Sequence, residues 1–435
     1  MKKIFTNAIL SVLILFILGT LTAQITNKYA FTQSSTFWEP VFANYATDAM
    51  TDEGLAGPFN LGFTFPFGDQ TYTQVKISSN GWVNPGANLT LPYYGNGLAT
   101  LNIRPLIAPL WDDLGMQNGA VMYETYGTAP HRIFFVQWLA AHWKYNATNE
   151  YNLMTRLHET GQVDLIYGPH IGTPLNADAT IGINIHPGGP GYYYSVLPGL
   201  PAVAFSNAEY NNLQVSLDSG TMYIFMPKTS YPGNPAAVNL TGPKLPMQNV
   251  VSDYTAVIGN AGTSQIVNDT ATAYLMRGDE VLASASVPSL MPGTFANVTL
   301  PWAPDTTGFM ELTAKVVLPN DPDSLNNRTY SYTITAQPYV GNEDEIAPTP
   351  SLIMDCYPNP FRRELSINVS HRNDSIDDIS VYNLKGQLIR QWKEVKTNSL
   401  KWDGTDILQR PVSSGVYLIK ARQGNNIHTS KVLKF

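Results

Sequence analysis

Apolar and polar residues alternate along most of this chain. Leu365, Ile367 and Val369, for example, are separated by single polar residues. This period of two predicts strands with one buried face, because successive side chains of a strand point to opposite sides of the sheet. Residues 416–420 are more uniformly apolar, and we expect that strand to be buried on both faces. No segment after residue 23 repeats apolar residues at helical spacing, so we predict an all-β fold made of several β-sandwiches.

The first 23 residues follow a different pattern. Lys2 and Lys3 precede an apolar run at residues 8–18, and the small residue Ala23 comes just before Gln24. The run is too short to cross a bilayer with ease, whereas a charged start, an apolar middle and a small-residue cleavage site are typical of secretory signal peptides. We therefore predict a signal peptide at residues 1–23 and a soluble chain after export.

Turn-forming and polar segments divide the rest of the chain. Proline and glycine cluster at residues 232–235, and residues 339–351 form a polar stretch that contains acids and prolines. Such segments mark domain boundaries and linkers. They predict a first β-domain at residues 24–231, an Ig-like sandwich at 232–338, a linker at 339–351 and a third β-domain at 352–435.

Cysteine content and charge limit the classes of function that the chain can have. Cys356 is the single cysteine, so no intramolecular disulfide can form, and we interpret it as a core residue rather than a reactive thiol. Residues 24–350 carry 11 basic and 25 acidic side chains, whereas residues 351–435 carry 13 basic and 8 acidic ones. An acidic chain without basic patches interleaved with aromatic residues argues against nucleic acid as a partner.

The C-terminal segment contains an ordered series of motifs. They are YPNPF at 357–361, VYNLKGQ at 381–387, WDG at 402–404, SGVYLIK at 414–420 and KVLKF at 431–435. The prolines exclude a helix or a central strand at the start, and Gly386 and Asp403 suit turns. The motif residues are Tyr357, Pro358, Asn359, Pro360, Phe361, Gly386, Trp402, Asp403, Gly404, Gly415, Tyr417 and Lys431.

This series resembles the type A C-terminal sorting domain of the bacterial type IX secretion system. The resemblance implies that the outer-membrane secretion and sortase machinery reads this segment as an address and normally removes it during export. It also implies a protein that is secreted or held on the outer cell surface, by way of the periplasm. The alternative is an ordinary terminal Ig-like module.

The first β-domain has motifs of its own. FTFPFG at 63–68 precedes SSNGW at 78–82, LIAPLWDDL at 106–114, FFVQW at 134–138 and a hairpin that turns at Gly161. Asn80 and Gly81 suit the positive-φ positions of a hairpin turn. The order of these motifs resembles the nidogen-like domain of matrix and surface proteins, although the cysteines of that family are missing. This resemblance implies an adhesive or structural role and brings no catalytic residues.

The second domain reads as a seven-stranded sandwich. A GNAGT turn at 259–263 and the sequence DSLNN at 323–327 resemble the bacterial CARDB-type module. That resemblance implies a spacer or a binding module.

Asp112 and Asp113 are the candidate metal ligands, at the end of an apolar strand. Adjacent strand residues point to opposite faces, so the two carboxylates are not expected to act as one catalytic dyad. One is expected to cap a turn, and the other could join a calcium site. Acid–base chemistry is the third alternative. The histidines show no metal-binding or hydrolase motif, so no catalytic residue and no cofactor other than calcium is proposed.

Two tyrosine clusters, at residues 93–94 and 192–194, could stack on sugar rings or pack beneath loops. We therefore expect a non-enzymatic secreted or surface protein, an adhesin or matrix-like protein with an extracellular protein or glycan ligand. The alternatives are a carbohydrate-binding component of a surface complex and an enzyme with a dispersed active site.

Overall fold

The computed structural model describes residues 24–99, 103–116, 118–143, 146–172, 177–186, 191–339, 352–371, 376–397, 399–424 and 426–435. The chain forms two compact units, Met1–Tyr339 and Val340–Phe435. The predicted signal peptide and residues 340–351 of the predicted linker lie outside the described residues.

The first unit begins with a five-residue helix, α1 (Gln24–Lys28), followed by a sandwich that we call the first sandwich. Its strands are β1 (Tyr29–Ser35), β2 (Asn44–Tyr45), β3 (Leu55–Phe67), β4 (Gln70–Ser78), β5 (Trp82–Pro85), β6 (Leu106–Trp111), β7 (Leu114–Gly115), β8 (Ala120–Tyr126), β9 (Ile133–Trp143), β10 (Asn146–His158), β11 (Val163–Tyr167), β12 (Thr180–Asn184), β13 (Tyr193–Leu197), β14 (Val203–Phe205) and β15 (Thr221–Pro227). A 3₁₀ turn covers Thr47–Ala49.

These strands form two antiparallel sheets. The order in the eight-stranded sheet is β1-β15-β11-β10-β9-β8-β2, with β7 paired to β9, and the order in the seven-stranded sheet is β14-β13-β12-β6-β5-β4-β3. Alternate residues of both sheets face each other in one core, which includes Phe65 and Ile107 from one sheet and Trp138 and Leu165 from the other. The predicted hairpin is confirmed, since Leu157 pairs with Val163 and Gly161 has φ +91°.

The second sandwich contains the seven strands expected from the sequence. They are β16 (Pro235–Thr241), β17 (Ser252–Asn260), β18 (Thr272–Arg277), β19 (Glu280–Ser286), β20 (Phe295–Trp302), β21 (Gly308–Val317) and β22 (Tyr332–Ala336). A three-stranded sheet, β16-β17-β20, packs on a four-stranded sheet, β19-β18-β21-β22. A 3₁₀ turn at Ser324–Asn326 is capped by Asp323, whose side chain accepts a hydrogen bond from Leu325 N.

The second sandwich covers the outer face of the eight-stranded sheet. Phe135, Met154 and Ile224 from that sheet pack against Val238 and Val257 of the second sandwich in a separate apolar cluster. This contact explains why every residue of β9 is buried, because its two faces contact two different cores.

The second unit is a smaller sandwich, which we call the C-terminal sandwich. Its strands are β23 (Leu352–Tyr357), β24 (Leu365–His371), β25 (Ile376–Asn383), β26 (Leu388–Val395), β27 (Ser399–Trp402), β28 (Gly415–Gln423) and β29 (Asn426–Lys434). The sheets have the orders β23-β24-β27 and β26-β25-β28-β29.

Two strands of the C-terminal sandwich test the burial predicted from their sequence patterns. Leu365, Ile367 and Val369 are all buried, as their alternation predicts. The expectation that residues 416–420 are buried on both faces is wrong. Tyr417 and Ile419 reach the core, but Val416, Leu418 and Lys420 on the other face are only half-buried.

Cys356 packs against the core of the C-terminal sandwich, and burial raises the pKa of its thiol to about 12. This environment agrees with a structural role, since a thiol with a raised pKa is a poor nucleophile. The fold is all-β and multidomain, as predicted. Within the described part of the chain, we find no helix with the length and apolar character needed to cross a membrane.

Candidate functional site

The two candidate aspartates lie in a bend after β6 and have different surroundings. Asp112 is buried, and its carboxylate accepts hydrogen bonds from the indole Nε1 of Trp143 and from Asp113 N. These bonds hold the bend that joins the two sheets, so Asp112 has the capping role expected of one of the pair.

Asp113 instead lies beside two acids that the sequence did not single out. Ligand oxygens of Asp52, Glu53 and Asp113 all lie within 4.8 Å of one another, a spacing that could hold a metal ion. Hard oxygen ligands of this kind suit calcium. Of the two candidate aspartates, Asp113 is therefore the one whose neighbours could form a calcium site, together with Asp52 and Glu53.

The SSNGW motif connects this acidic cluster to a neighbouring loop. The amide of Asn80 donates to Glu53 Oε2 at 3.0 Å and to Pro92 O at 2.6 Å, and its Oδ1 accepts from Leu114 N at 2.9 Å. Only Gly81 of the predicted Asn-Gly turn has positive φ, at +71°. A Cβ on Gly81 would lie 1.9 Å from Leu110 O, so the glycine permits close backbone approach to β6.

Residues 86–99, which we call the aromatic loop, cover the outer face of the seven-stranded sheet. Tyr93 and Tyr94 are 36% and 57% exposed, and Leu91 is 55% exposed. The second tyrosine cluster behaves differently. Tyr193 and Tyr194 are buried, the former beneath the aromatic loop and the latter in the main core. The structure thus keeps residues 93–94 as a candidate surface and assigns Tyr193 and Tyr194 to packing.

The opposite face of the first sandwich contains buried charges. Arg156 on β10 is directly opposite Asp164 on β11, and its guanidinium lies over the rings of Phe135 and Tyr330 at 5.3 and 5.9 Å. Burial lowers the pKa of Arg156, and the negative charge of Asp164 opposes this shift. The Asp164 carboxylate also contacts His158 Nε2 at 2.6 Å.

Gln162 extends this buried group of charges to the second sandwich. Its amide donates to Asp164 Oδ1 at 2.8 Å and to Val238 O at 2.9 Å. Motif reading missed these residues because none of them belongs to a short sequence pattern.

A cleft of about 320 Å³ opens nearby, between the β8–β9 turn and the second sandwich. Its lining includes His131, Glu311, Arg328 and Tyr330. Burial, followed by the charge of Arg328, lowers the pKa of His131, whereas Glu159 opposes the shift.

In the C-terminal sandwich, the YPNPF segment lies beside the end of β29. Pro358 and Pro360 lack an N–H, so other groups make the hydrogen bonds. The Asn359 side chain bonds to Lys431 O and Leu433 N, both at 2.9 Å, and Phe361 N donates to Leu433 O at 2.8 Å. The opening motif and the last strand of the domain therefore hold each other in place.

An aromatic cluster completes this end of the C-terminal sandwich. The Trp402 ring lies 5.2 Å from Phe361 and 5.3 Å from Tyr417, centroid to centroid. Gly404 has φ +70°, and a Cβ there would lie 2.4 Å from Lys434 Cε. The WDG motif thus fits between the aromatic cluster and the last strand. A hydrogen bond from the Thr405 side chain lowers the pKa of Asp403.

The remaining motif residues lie elsewhere in the C-terminal sandwich. Gly386, with φ +76°, shapes the turn between β25 and β26, and Gly415 opens β28. Tyr357 is exposed. Lys431 lies on β29 opposite Leu418, and partial burial lowers the pKa of its ammonium.

Three family models match consecutive parts of the chain. A NIDO-related domain matches residues 28–227, CARDB matches residues 237–328, and the secretion system C-terminal sorting domain matches residues 355–434. No curated protein matches the chain.

Several solved structures show a weak similarity to this chain. The CARDB domain of a Pyrococcus furiosus protein is 17% identical, with 24% of this chain and 96% of that chain covered and a TM-score of 0.21. Dimeric latent PorU from Porphyromonas gingivalis is 11% identical over 72% and 32% of the two chains, with a TM-score of 0.20. PorZ, a surface component of the type IX secretion system of the same bacterium, is 14% identical over 86% and 51%, with a TM-score of 0.17. At these TM-scores, we base no conclusion on the three likenesses.

The matched segments coincide with the three sandwiches. The sorting domain implies contact with the type IX secretion machinery and directs the protein to the outer surface or to the medium. This chain therefore combines a NIDO-related domain, a CARDB domain and a type IX secretion system C-terminal sorting domain, and it is a secreted or cell-surface protein.

Proposed function

We propose that this protein is a non-enzymatic binding protein of the cell surface, an adhesin or matrix-like component. The supporting observation is the aromatic loop, which exposes Leu91, Tyr93 and Tyr94 on a rigid framework. Exposed apolar side chains held in one conformation favour binding, because little entropy is lost when a ligand contacts them.

The direct test is adhesion by the purified full chain. Beads coated with the full chain should adhere to at least one surface coated with a collagen, a fibronectin or a neutral polysaccharide. Beads coated with a variant that lacks residues 431–435 of the C-terminal sandwich should adhere equally. Absence of adhesion to all of these surfaces would count against the proposal.

The enzyme alternative has one structural feature in its favour, the cleft that contains His131, Glu311 and Arg328. We expect the full chain to show no turnover of peptide, ester or glycoside substrates across neutral and mildly acidic pH. Turnover that is lost in His131→Ala would replace the binding proposal with a catalytic one.

We also propose that the secretion machinery reads the C-terminal sandwich in its folded form. Val432 and Leu433 are buried, and Lys431 O and Leu433 N bond to the Asn359 side chain. Loss of residues 431–435 removes these contacts and about 1.5–3 kcal/mol for each fully buried side chain. The truncated chain should remain in the periplasm on cell fractionation, with its first unit folded. Equal export of both forms would contradict the proposal.

Calcium is proposed as the cofactor, bound by Asp52, Glu53 and Asp113. The grouping of their oxygens supports this assignment. The ion would stabilise the bend after β6 and supply no reaction chemistry.

A further inference from the structure

The backbone of the aromatic loop is fixed by side chains of the sheet beneath it. The indole Nε1 atoms of Trp82 and Trp111, both fully buried, donate to the same acceptor, Tyr93 O, at 3.0 and 2.9 Å. Asn80 donates to Pro92 O, and Lys76 Nζ donates to Leu89 O at 2.8 Å. The carbonyls of Leu89, Pro92 and Tyr93 therefore face the sheet, whereas the side chains of Leu91, Tyr93 and Tyr94 are exposed.

A second apolar cluster supports the loop from below. Leu89 and Leu98 of the loop are buried against Trp82, Trp111 and Tyr193. These buried leucines anchor the loop on the sheet, and the anchoring does not use Leu91, Tyr93 or Tyr94. The three exposed side chains thus contribute little to folding and remain available for contact with a ligand.

The chemistry of the surface indicates the class of ligand. Tyrosine rings offer flat apolar faces, and the phenol hydroxyls and the exposed hydroxyl of neighbouring Thr90 both donate and accept hydrogen bonds. Pyranose rings carry the matching features, apolar C–H faces bordered by hydroxyl groups. A rigid platform of this kind suits a sugar chain better than a ligand that needs a deep pocket.

Charge excludes acidic sugars. The Asn80 amide donates to the Glu53 carboxylate as well as to Pro92 O of the loop. Glu209 accepts a hydrogen bond from Ala99 N at 2.6 Å. The Lys76 ammonium at the loop is engaged with Leu89 O. The Glu209 carboxylate lies beside the loop outside the proposed calcium site, and it would repel uronic or sulfated chains because like charges raise the free energy of binding.

We propose that Leu91, Tyr93 and Tyr94 form a binding site for neutral polysaccharide. This inference rests on the binding function proposed above and names its ligand class. The pyranose rings stack on Tyr93 and Tyr94, and the fixed loop backbone presents both rings without prior rearrangement.

The test uses the full chain with soluble glucan, mannan and galactan as neutral probes and alginate as the acidic probe, in affinity gels and calorimetry. We expect retardation by at least one neutral probe and none by alginate. Tyr94→Ala should weaken binding about tenfold, and Tyr93→Ala combined with Tyr94→Ala should abolish it. Tyr94→Trp should retain binding, because an indole also stacks. Phe309→Ala is the matched control, since Phe309 is 68% exposed on the second sandwich.

Each other outcome overturns the inference. Binding that survives loss of both tyrosines places the site elsewhere, and binding to alginate or to a proline-rich peptide in place of neutral glycans assigns a different ligand. If no neutral glycan binds but the beads adhere to a protein-coated surface, the glycan inference fails and the proposed adhesive function stands. If neither occurs, both fail.

Discussion

The two outer faces of the first sandwich are covered in different ways. The second sandwich covers the face of the eight-stranded sheet with a large apolar contact that encloses Arg156 and Asp164. On the seven-stranded sheet, the chain covers the face with its own aromatic loop and leaves Tyr93 and Tyr94 in solvent. The first face joins two domains, whereas the second presents a surface. The difference shows that, in one domain, charged residues can lie in an interface while apolar residues are exposed on the opposite face.

The largest expected effect is at the interdomain face. Arg156→Ala should lower the free energy of unfolding by about 3 kcal/mol, because it removes the guanidinium packed over Phe135 and Tyr330 and the cation opposite Asp164. Chemical denaturation of the full chain measures this change.

The control for this effect combines Arg156→Met with Asp164→Asn. The pair removes both charges and keeps an acceptor for Gln162, so it should recover at least half of the lost stability. A double variant as unstable as Arg156→Ala would contradict the charge-pair explanation and assign the effect to the contact of the guanidinium with the Phe135 and Tyr330 rings, which methionine does not replace.

The next effect is at the junction beneath the aromatic loop. Asn80→Ala should lower the free energy of unfolding by about 2–3 kcal/mol, because it leaves Leu114 N and Pro92 O without the buried amide. Asn60→Ala is the control on the same sheet, since Asn60 is exposed and bonds only to the Gln74 side chain. If the two variants lower the free energy of unfolding equally, the Asn80 side chain does not link the aromatic loop, the bend after β6 and Glu53.

The sequence predicts the strands of the first sandwich better than it predicts what covers the outer face of each sheet. Alternation marks the inward residues, and the five C-terminal motifs identify the sorting domain, because these signals are local. The sequence does not show that β9 contacts two cores, since an apolar run fits a buried strand whatever covers it. Similarly, Tyr94 and Tyr194 each follow another tyrosine in the sequence, but Tyr94 is exposed in the aromatic loop whereas Tyr194 is buried on β13.

Site residues show the same limit. Asp113 is visible as part of a WDD sequence, but its neighbours Asp52 and Glu53 come from a turn that is distant in sequence. No spacing rule connects them, because the bend after β6 and the chain pairing around Asn80 bring them together only in the folded state.

A smaller effect separates the two aspartates. With an extracellular-type affinity, calcium at about 10 mM should raise the free energy of unfolding by about 1.4–2.7 kcal/mol. Asp113→Asn should abolish this increment. Asp112→Asn should destabilise the chain with or without calcium, because the Asp112 carboxylate bonds to Trp143 and to Asp113 N. If calcium raises the free energy of unfolding of Asp113→Asn by the same amount, calcium does not bind at the cluster of Asp52, Glu53 and Asp113.

The smallest expected effect concerns the exposed tyrosine. Tyr94→Ala should change the free energy of unfolding by no more than about 0.5 kcal/mol, since exposed side chains outside special contacts contribute little. Phe135→Ala, on the face covered by the second sandwich, should cost about 3–5 kcal/mol because it leaves a cavity. Thermal or chemical unfolding of both variants measures the contrast. A large loss in Tyr94→Ala would mean that the ring supports the loop, and its exposure would then need no ligand. A small loss confirms that weaker polysaccharide binding by this variant reflects a missing contact rather than a damaged fold.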